Sequence, residues 1–540
     1  MKRAGIILLF FSIAISLTAQ IAPGKYFVEF TDKNNNPYSI DRPWEFLTQR
    51  ALDRRTAQGI TYTETDLPVT PSYIAGVAAV GVTPLVQVKW LNGLIIACSD
   101  PTLIPVIEAL PYVNGVYKSG GREGGVKGPD KLAVPVYYDY GESGNQIRMM
   151  NGDKLHQEGY QGQGKVIAVL DAGFAGADTI PVFDSLWANG QILGSFNFVN
   201  PGVSVFGSHP HGTMVLSTMG SLLPGQLIGT APKADYWLLR TEDGSSEYII
   251  EEYNWVAGAA FADSVGADVI NSSLGYTEFD DTTQNHTCAD MDGNTTPATR
   301  GANLAAQRGI VVVNSAGNEG GSSWMCVGAP SDGTDVLAIA AVDSNGQYAP
   351  FSSWGRIEGN YVKPNVAAQG AMTVVSWTDG TIVRSNGTSF SSPLVAGMTA
   401  SFWSARPELT ASNIRAMVEQ SASHYTAPDT LTGYGIPDFY KILSSGPSLV
   451  REEGSLSVYP NPFTASLTLL ITSPVPARLI TGVWTVRGEQ VFTSEPITVR
   501  RGENRVEINL PGNLSQGLYL LKISDQNGRL SFPGKKIEKR

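Results

Sequence analysis

The spacing of apolar positions changes several times along this 540-residue chain, and each change marks a different unit. Residues 4–15 are a mostly apolar run behind Met1-Lys2-Arg3 that ends near Ala19-Gln20, the pattern of a signal peptide over 1–19. The run is short for a bilayer span, and no later segment is long enough for one, so the mature chain is expected to lack a transmembrane segment. Residues 26–30 then alternate as a strand, 43–58 read as a helix, 86–97 as a hairpin turning at Asn92-Gly93, and 102–110 as a second helix. Strand, helix, two strands, helix and a short last strand give a ferredoxin-like α+β plan for 20–130.

Residues 118–128 combine five glycines with charged side chains, the composition of an exposed linker where processing is expected. From 135 to 445 short apolar runs at 166–170, 236–239, 269–271, 310–313 and 336–341 alternate with helix-like segments. The clearest of these are 247–262 and 297–307, the second with Thr296 as its cap and Pro297 in its first turn. Strands that are apolar throughout are buried on both faces, which predicts an α/β unit: a parallel sheet with helices on each side. A second linker, 444–454, leads to 455–540. There 467–471, 481–486, 506–510 and 517–523 read as strands between Asn-Pro, Arg-Gly and Pro-Gly turns, hence a small all-β sandwich.

Composition narrows the partners. The net charge is −11, and 455–540 carries eleven Lys or Arg against six Asp or Glu, +5, leaving −16 on the rest, so nucleic acid is not an expected partner. Three cysteines are too few for a disulfide scaffold; Cys288 and Cys326 either pair or stay as two thiols.

Three segments carry candidate chemistry. Asp171 ends the apolar strand 166–170 and precedes Ala172-Gly173; His211 opens a helical run after Ser208-His209-Pro210; Ser389 lies at a glycine-bearing turn, Asn386-Gly387-Thr388-Ser389, into an apolar helix. Unpaired amides in such a first helical turn can hold an oxyanion, and Pro393 is tolerated near a helix start. Singly, each is an ordinary strand end or helix cap. Together, Asp171-Ala172-Gly173, His211-Gly212-Thr213 and Gly387-Thr388-Ser389-Phe390-Ser391-Ser392-Pro393, in that order, resemble the three active-site motifs of the subtilisin family. The resemblance continues through Asn314-Ser315-Ala316-Gly317-Asn318, Asn271-Ser272-Ser273-Leu274-Gly275 and Gly433-Tyr434-Gly435.

That resemblance implies a serine endopeptidase acting on proteins or peptides through an acyl-enzyme on Ser389. His211 would be the base, Asp171 its orienting partner and Asn318 the oxyanion donor, with substrate held by Ser273, Leu274, Gly275 and Gly317. It implies no cofactor for catalysis, and an inhibitory propeptide over 20–130. Ala172, Met214 and Phe390 depart from the family's usual residues. The competing reading is an inactive relative serving as a surface adhesin or binding module. Asp290, Asp292 and Asn294 cluster oxygen ligands, either for a structural calcium or simply as turn residues. Finally, Val458-Tyr459-Pro460-Asn461-Pro462-Phe463 with 517–523 and Lys535-Lys536 resembles the carboxy-terminal sorting domain of the type IX secretion pathway of Bacteroidetes. This implies that secretion machinery is a partner and that the protein is released or surface-attached after outer-membrane export.

Overall fold

The computed structural model describes residues 24–119, 138–358, 361–444 and, with short breaks, 452–540. The expected signal peptide, most of the processing linker and most of the second linker lie outside the described residues.

In the amino-terminal unit, strand β1 (Lys25–Phe30) pairs on one side with β3 (Gly93–Ala97) and on the other with β4 (Val113–Ser119), while β2 (Thr83–Val88) pairs with β3. The antiparallel order β2-β3-β1-β4 is the ferredoxin-like one. Successive side chains of a strand point to opposite faces. Tyr26, Val28 and Phe30 accordingly pack under helices with Tyr73, Val77 and Ile107, and Phe27 faces the other way, into the core shared with the next unit.

The single helix expected over 43–58 is not what forms. Pro43–Glu45 is a 3-10 turn, and α1 (Gln49–Gln58) starts afresh behind Thr48, whose side chain accepts from the Ala51 amide. The helix that covers the sheet is α2 (Pro71–Ala79), which the sequence reading missed. Its run Pro-Ser-Tyr-Ile-Ala-Gly-Val-Ala-Ala has no polar face to set a helical period, so only packing reveals it. With α3 (Ile104–Glu108) it completes that layer.

The central unit is built on seven parallel strands: β5 (Val166–Asp171), β6 (Ile192–Asn197), β7 (Asp235–Arg240), β8 (Val269–Ser272), β9 (Val311–Ser315), β10 (Leu337–Val342) and β11 (Val366–Gln369). Their order is β11-β10-β9-β8-β5-β7-β6. All six residues of β5 are buried. Ile167 and Val169 enter the core on one face, with α4 (His211–Gly220) and α7 (Thr388–Ala405). Val166, Ala168 and Leu170 enter the other, with α5 (Ile250–Val265) and α6 (Pro297–Gln307). Thr296 caps α6, its side chain accepting from the Thr299 amide, as the sequence predicted. β6 and β11, at the two edges, carry too few apolar residues or are too short to announce themselves.

The carboxy-terminal unit has a three- and a five-stranded sheet that share one core containing Leu467, Leu469, Leu479, Val483 and Leu521, and a two-stranded pairing of Glu452–Glu453 with Leu530–Ser531. Its opening and closing motifs meet: the Phe463 amide donates to the Glu538 carbonyl at 2.8 Å, and Asn461 Nδ2 to the Lys536 carbonyl at 3.0 Å.

The amino-terminal sheet docks on α5 and α6. Phe27, Val86, Val88, Trp90 and Ile95 share a core with Trp255, Val256 and Ala260, and the Phe27 and Tyr253 rings stack at 4.2 Å. Beside this apolar contact α1 carries a buried ion cluster. Arg55 donates to both oxygens of Asp66, at 2.9 and 3.0 Å, and to Asp263 of α5 at 2.8 Å; Arg54 also pairs with Asp263, and Arg308 reaches Asp66 at 2.9 Å. Burial alone would raise the Asp263 carboxyl, but Lys89, Arg55 and Arg54 outweigh it and hold its pKa below the usual range. A depressed carboxylate contributes stability above its unfolded pKa and loses it only as pH falls through the folded value, so this contact persists in mild acid. Asp263→Asn takes the paired carboxylate from buried Arg54 and one of the two carboxylate partners from buried Arg55, at a cost of about 3–5 kcal/mol. The dissociation constant of the isolated amino-terminal unit from the central unit is expected to rise between about 10²- and 4 × 10³-fold, with little change in the melting temperature of the central unit alone. An unchanged constant would remove the cluster from the binding energy.

Candidate active site

The sheet order reverses at β5: β7 and β6 lie on one side, β8 to β11 on the other. In open α/β sheets the crevice at such a reversal, beyond the carboxyl ends of the strands, is where ligands bind. Asp171 is the last residue of β5, Ser273 follows β8, and Gly317 and Asn318 follow β9, so the topology gathers them at one edge.

The Asp171 side chain is fully buried. Its Oδ1 accepts from the Ala172 amide at 2.8 Å and from His211 Nδ1 at 2.8 Å. His211 reaches it because Gly212 lets α4 come close: a Cβ there would lie 2.4 Å from the Gly173 carbonyl and 3.0 Å from Asp171 Cβ. Gly173 itself sits at φ +149° with no room for a side chain beside Ser208. Burial of the ring works against an imidazolium, yet the Asp171 charge and hydrogen bond outweigh it and raise the His211 pKa above its ordinary value.

Ser389 lies in the first turn of α7, and the ring of its neighbour Phe390 is 6.0 Å from the His211 ring. The Ser389 hydroxyl donates to the Ser273 carbonyl at 3.3 Å, with no hydrogen bond to His211 among the described residues. The Ser273 hydroxyl in turn donates to the Ser389 carbonyl at 2.8 Å. Pro393 explains this. It stands at the sixth helical position, deeper than the first-turn placement that the sequence reading took as harmless, and its missing amide would have bonded to the Ser389 carbonyl. Ser273 fills the vacancy and ties the β8 segment to the serine.

Asn318 is exposed, and its amide is oriented by a residue that the sequence reading passed over. Its Oδ1 accepts from the Thr388 amide at 2.9 Å and the Thr388 hydroxyl at 3.1 Å, while the Thr388 oxygen accepts from the Gly317 amide at 3.2 Å. Nδ2 is left without a partner among the described residues, facing the outside as a donor. Thr388 was legible only as the residue before Ser389; no local signal assigns it this bond.

Of the expected substrate contacts, Ser273 and Leu274 are buried and Gly275 is exposed; the Leu274 carbonyl already accepts from Asn314 at 2.9 Å. A cavity of about 480 Å³ opens beside His211, with Ala172, His209, Ser273, Leu274 and Gly275 on its wall.

The model of the subtilase family matches residues 162–435, just over half of the chain. The chain belongs to the subtilase family. Residues 25–125 match a propeptide domain of peptidase S8 proteins from Bacteroidota, and 457–537 a secretion system C-terminal sorting domain. A thermostable alkaline protease of Halalkalibacterium halodurans is 30% identical over 296 residues, covering 54% of this chain and 70% of that one. Subtilisin DY of Bacillus licheniformis is 29% identical over 280 residues, 52% of this chain and 90% of the relative. Among solved structures, fervidolysin from Fervidobacterium pennivorans superposes with a TM-score of 0.52 at 19% identity, over 93% of this chain and 70% of that one, a likeness of fold. This subtilase is thus a serine endopeptidase with a propeptide domain and a sorting domain that marks it for export.

Two other expectations concern the 288–326 region. Cys288 and Cys326 form a disulfide, with Cα atoms 6.1 Å apart, while Cys98 is a buried free thiol. Asp290 and Asp292 accept hydrogen bonds within their own turns, from Thr287 and from Asn294 and Thr295. No group of three or more His, Cys, Asp or Glu side chains among the described residues is placed to hold a metal ion, so a calcium at Asp290, Asp292 and Asn294 gains no support. No helix among the described residues is long and apolar enough to cross a membrane.

Proposed function

We propose that this subtilase cleaves internal peptide bonds through an ester on Ser389, using Asp171, His211 and Asn318 in the roles that the motif resemblance implies. The observation that carries the reading is the 2.8 Å bond between buried Asp171 and His211 Nδ1, on a helix that packs against the helix bearing Ser389. With Nδ1 donating to Asp171, Nε2 is the basic nitrogen. On substrate entry the Ser389 hydroxyl turns from the Ser273 carbonyl to Nε2; catalytic hydrogen bonds are often long or unformed without substrate. Nε2 takes the hydroxyl proton as Oγ attacks the carbonyl carbon and later returns it to the departing amine. Asn318 Nδ2 and the Ser389 amide stabilise the oxyanion. No metal or cofactor is assigned a part.

Attack requires neutral His211. Because Asp171 raises its pKa, kcat/KM is expected to fall on the acid side at a pH above that of an ordinary histidine, near 6.5. Asn318→Ala leaves Thr388 in place but removes the donor, and kcat is expected to drop about 10²- to 10³-fold with KM nearly unchanged, the scale known for the equivalent donor in subtilisin. A change confined to KM would move Asn318 from the reaction to substrate binding.

The direct test is covalent labelling by a fluorophosphonate. Matured wild type is expected to label and Ser389→Ala not to; an unlabelled, correctly matured wild type would favour the inactive binding module instead.

A further inference from the structure

Behind Ser389 runs a buried polar chain that takes no part in the proposed proton transfers. Asn271 of β8 and Ser392 of α7 are both fully buried. The Ser392 hydroxyl donates to Asn271 Oδ1 at 3.0 Å, Asn271 Nδ2 to the Ser273 hydroxyl at 3.3 Å, and that hydroxyl to the Ser389 carbonyl at 2.8 Å.

The chemistry of the groups fixes the direction of each bond. The Ser389 carbonyl can only accept, so the Ser273 proton lies on that bond and the Ser273 oxygen receives the next one. Asn271 must therefore present its NH₂ to Ser273 and its oxygen to Ser392, which donates. The order matters because a serine hydroxyl is a rotor whose proton can swing between staggered positions. A donor from Asn271 closes the alternatives and keeps the Ser273 proton on the Ser389 carbonyl, while Ser392 holds the far end of the amide.

That carbonyl is the one that Pro393 deprives of a helical amide, so the first turn of α7 is held at this point by β8. Ser389 is tied to the same residue a second time, its own hydroxyl donating to the Ser273 carbonyl at 3.3 Å. β8 in turn pairs with β5, which ends in Asp171, and with β9, which leads to Asn318. The chain thus references the attacking serine to the two strands that supply the orienting carboxylate and the oxyanion donor. Turnover depends steeply on such placement, a shift of about 1 Å costing about 10²-fold.

We infer that Asn271 and Ser392 are positioning residues for Ser389, acting through the Ser273 hydroxyl. The inference rests on the serine-peptidase reading above. Both side chains are closed off from the cleft, so their removal leaves substrate binding in place and loosens the nucleophile.

The test is a double-mutant cycle read in kcat and KM on one peptide, with matured wild type, Ser273→Ala, Asn271→Ala and the pair. Ser273→Ala is expected to lower kcat by about 10- to 10²-fold, and Asn271→Ala by about tenfold with KM within about twofold of wild type. Added to Ser273→Ala, Asn271→Ala should cost less than about twofold, because the bond it steers is already gone. A residue that merely supported the fold would cost the same factor in either background. Where Asn271→Ala does not fold, Ser392→Ala takes its place, with a loss of about threefold or more expected alone and less than about 1.5-fold after Ser273→Ala. Equal factors in the two backgrounds, an unchanged kcat in the single variant, or a change confined to KM overturns the inference. Wild type that neither cleaves nor takes up a fluorophosphonate would overturn the peptidase reading itself, and the positioning role with it.

Discussion

Ser389→Ala is expected to lower kcat on a peptide substrate by about 10⁶-fold, a magnitude carried over from the equivalent serine in subtilisin. In the proposed mechanism this hydroxyl forms the ester; the neighbouring Ser391 and Ser392 are fully buried and committed elsewhere, to the Thr388 carbonyl and to Asn271. What survives is attack by water aided by Asn318 and by the binding cleft, worth about 10³–10⁴ over the uncatalysed rate. The variant should also fail to sever its own 118–128 segment if maturation is autocatalytic, so its turnover is measured on protein processed by added wild type and then separated from it. Turnover within tenfold of wild type would mean that another nucleophile does the chemistry.

Asp171→Asn should cost about 10⁴-fold in kcat/KM, although it changes a single atom in a buried side chain. Oδ1 already accepts the Ala172 amide and His211 Nδ1, while Oδ2 is buried without a hydrogen bond among the described residues. An amide that turns its NH₂ toward Nδ1 makes that nitrogen an acceptor and moves the ring proton to Nε2, where it blocks acceptance from Ser389. The same change removes the charge that holds the His211 pKa up, so the acid limb of the residual activity should move to lower pH. A variant that was merely less stable would lose melting temperature without moving that limb. An acid limb that stays in place would therefore separate Asp171 from the tautomer and charge control proposed for it.

How much of this was legible beforehand differs by element. β5 and β9 were readable because strands buried on both faces are apolar throughout, and α6 because Thr296 and Pro297 mark its start. Edge strand β6, with Leu193 and Phe196 exposed, follows neither rule. In the amino-terminal unit the expected helix over 43–58 forms only over 49–58, and Arg55 within it is fully buried because Asp66 and Asp263 come to meet it. The pairing partner of an arginine 208 residues away in sequence leaves no local trace.

The amino-acid sequence by itself placed Asp171, His211 and Ser389 at a strand end and two helix starts, and the resemblance of their motifs to the subtilisin family implied the roles proposed for them. It also set the three-unit plan, because strand and helix periods are short-range properties of neighbouring side chains. Tertiary structure alone decided that Thr388 aims Asn318, that Ser273 replaces the bond lost at Pro393, and that three carboxylates, Glu242, Glu247 and Asp280, line the cavity beside His211. Those are contacts between segments tens to hundreds of residues apart, and their energies come from burial and distance, which exist only once the chain has closed on itself.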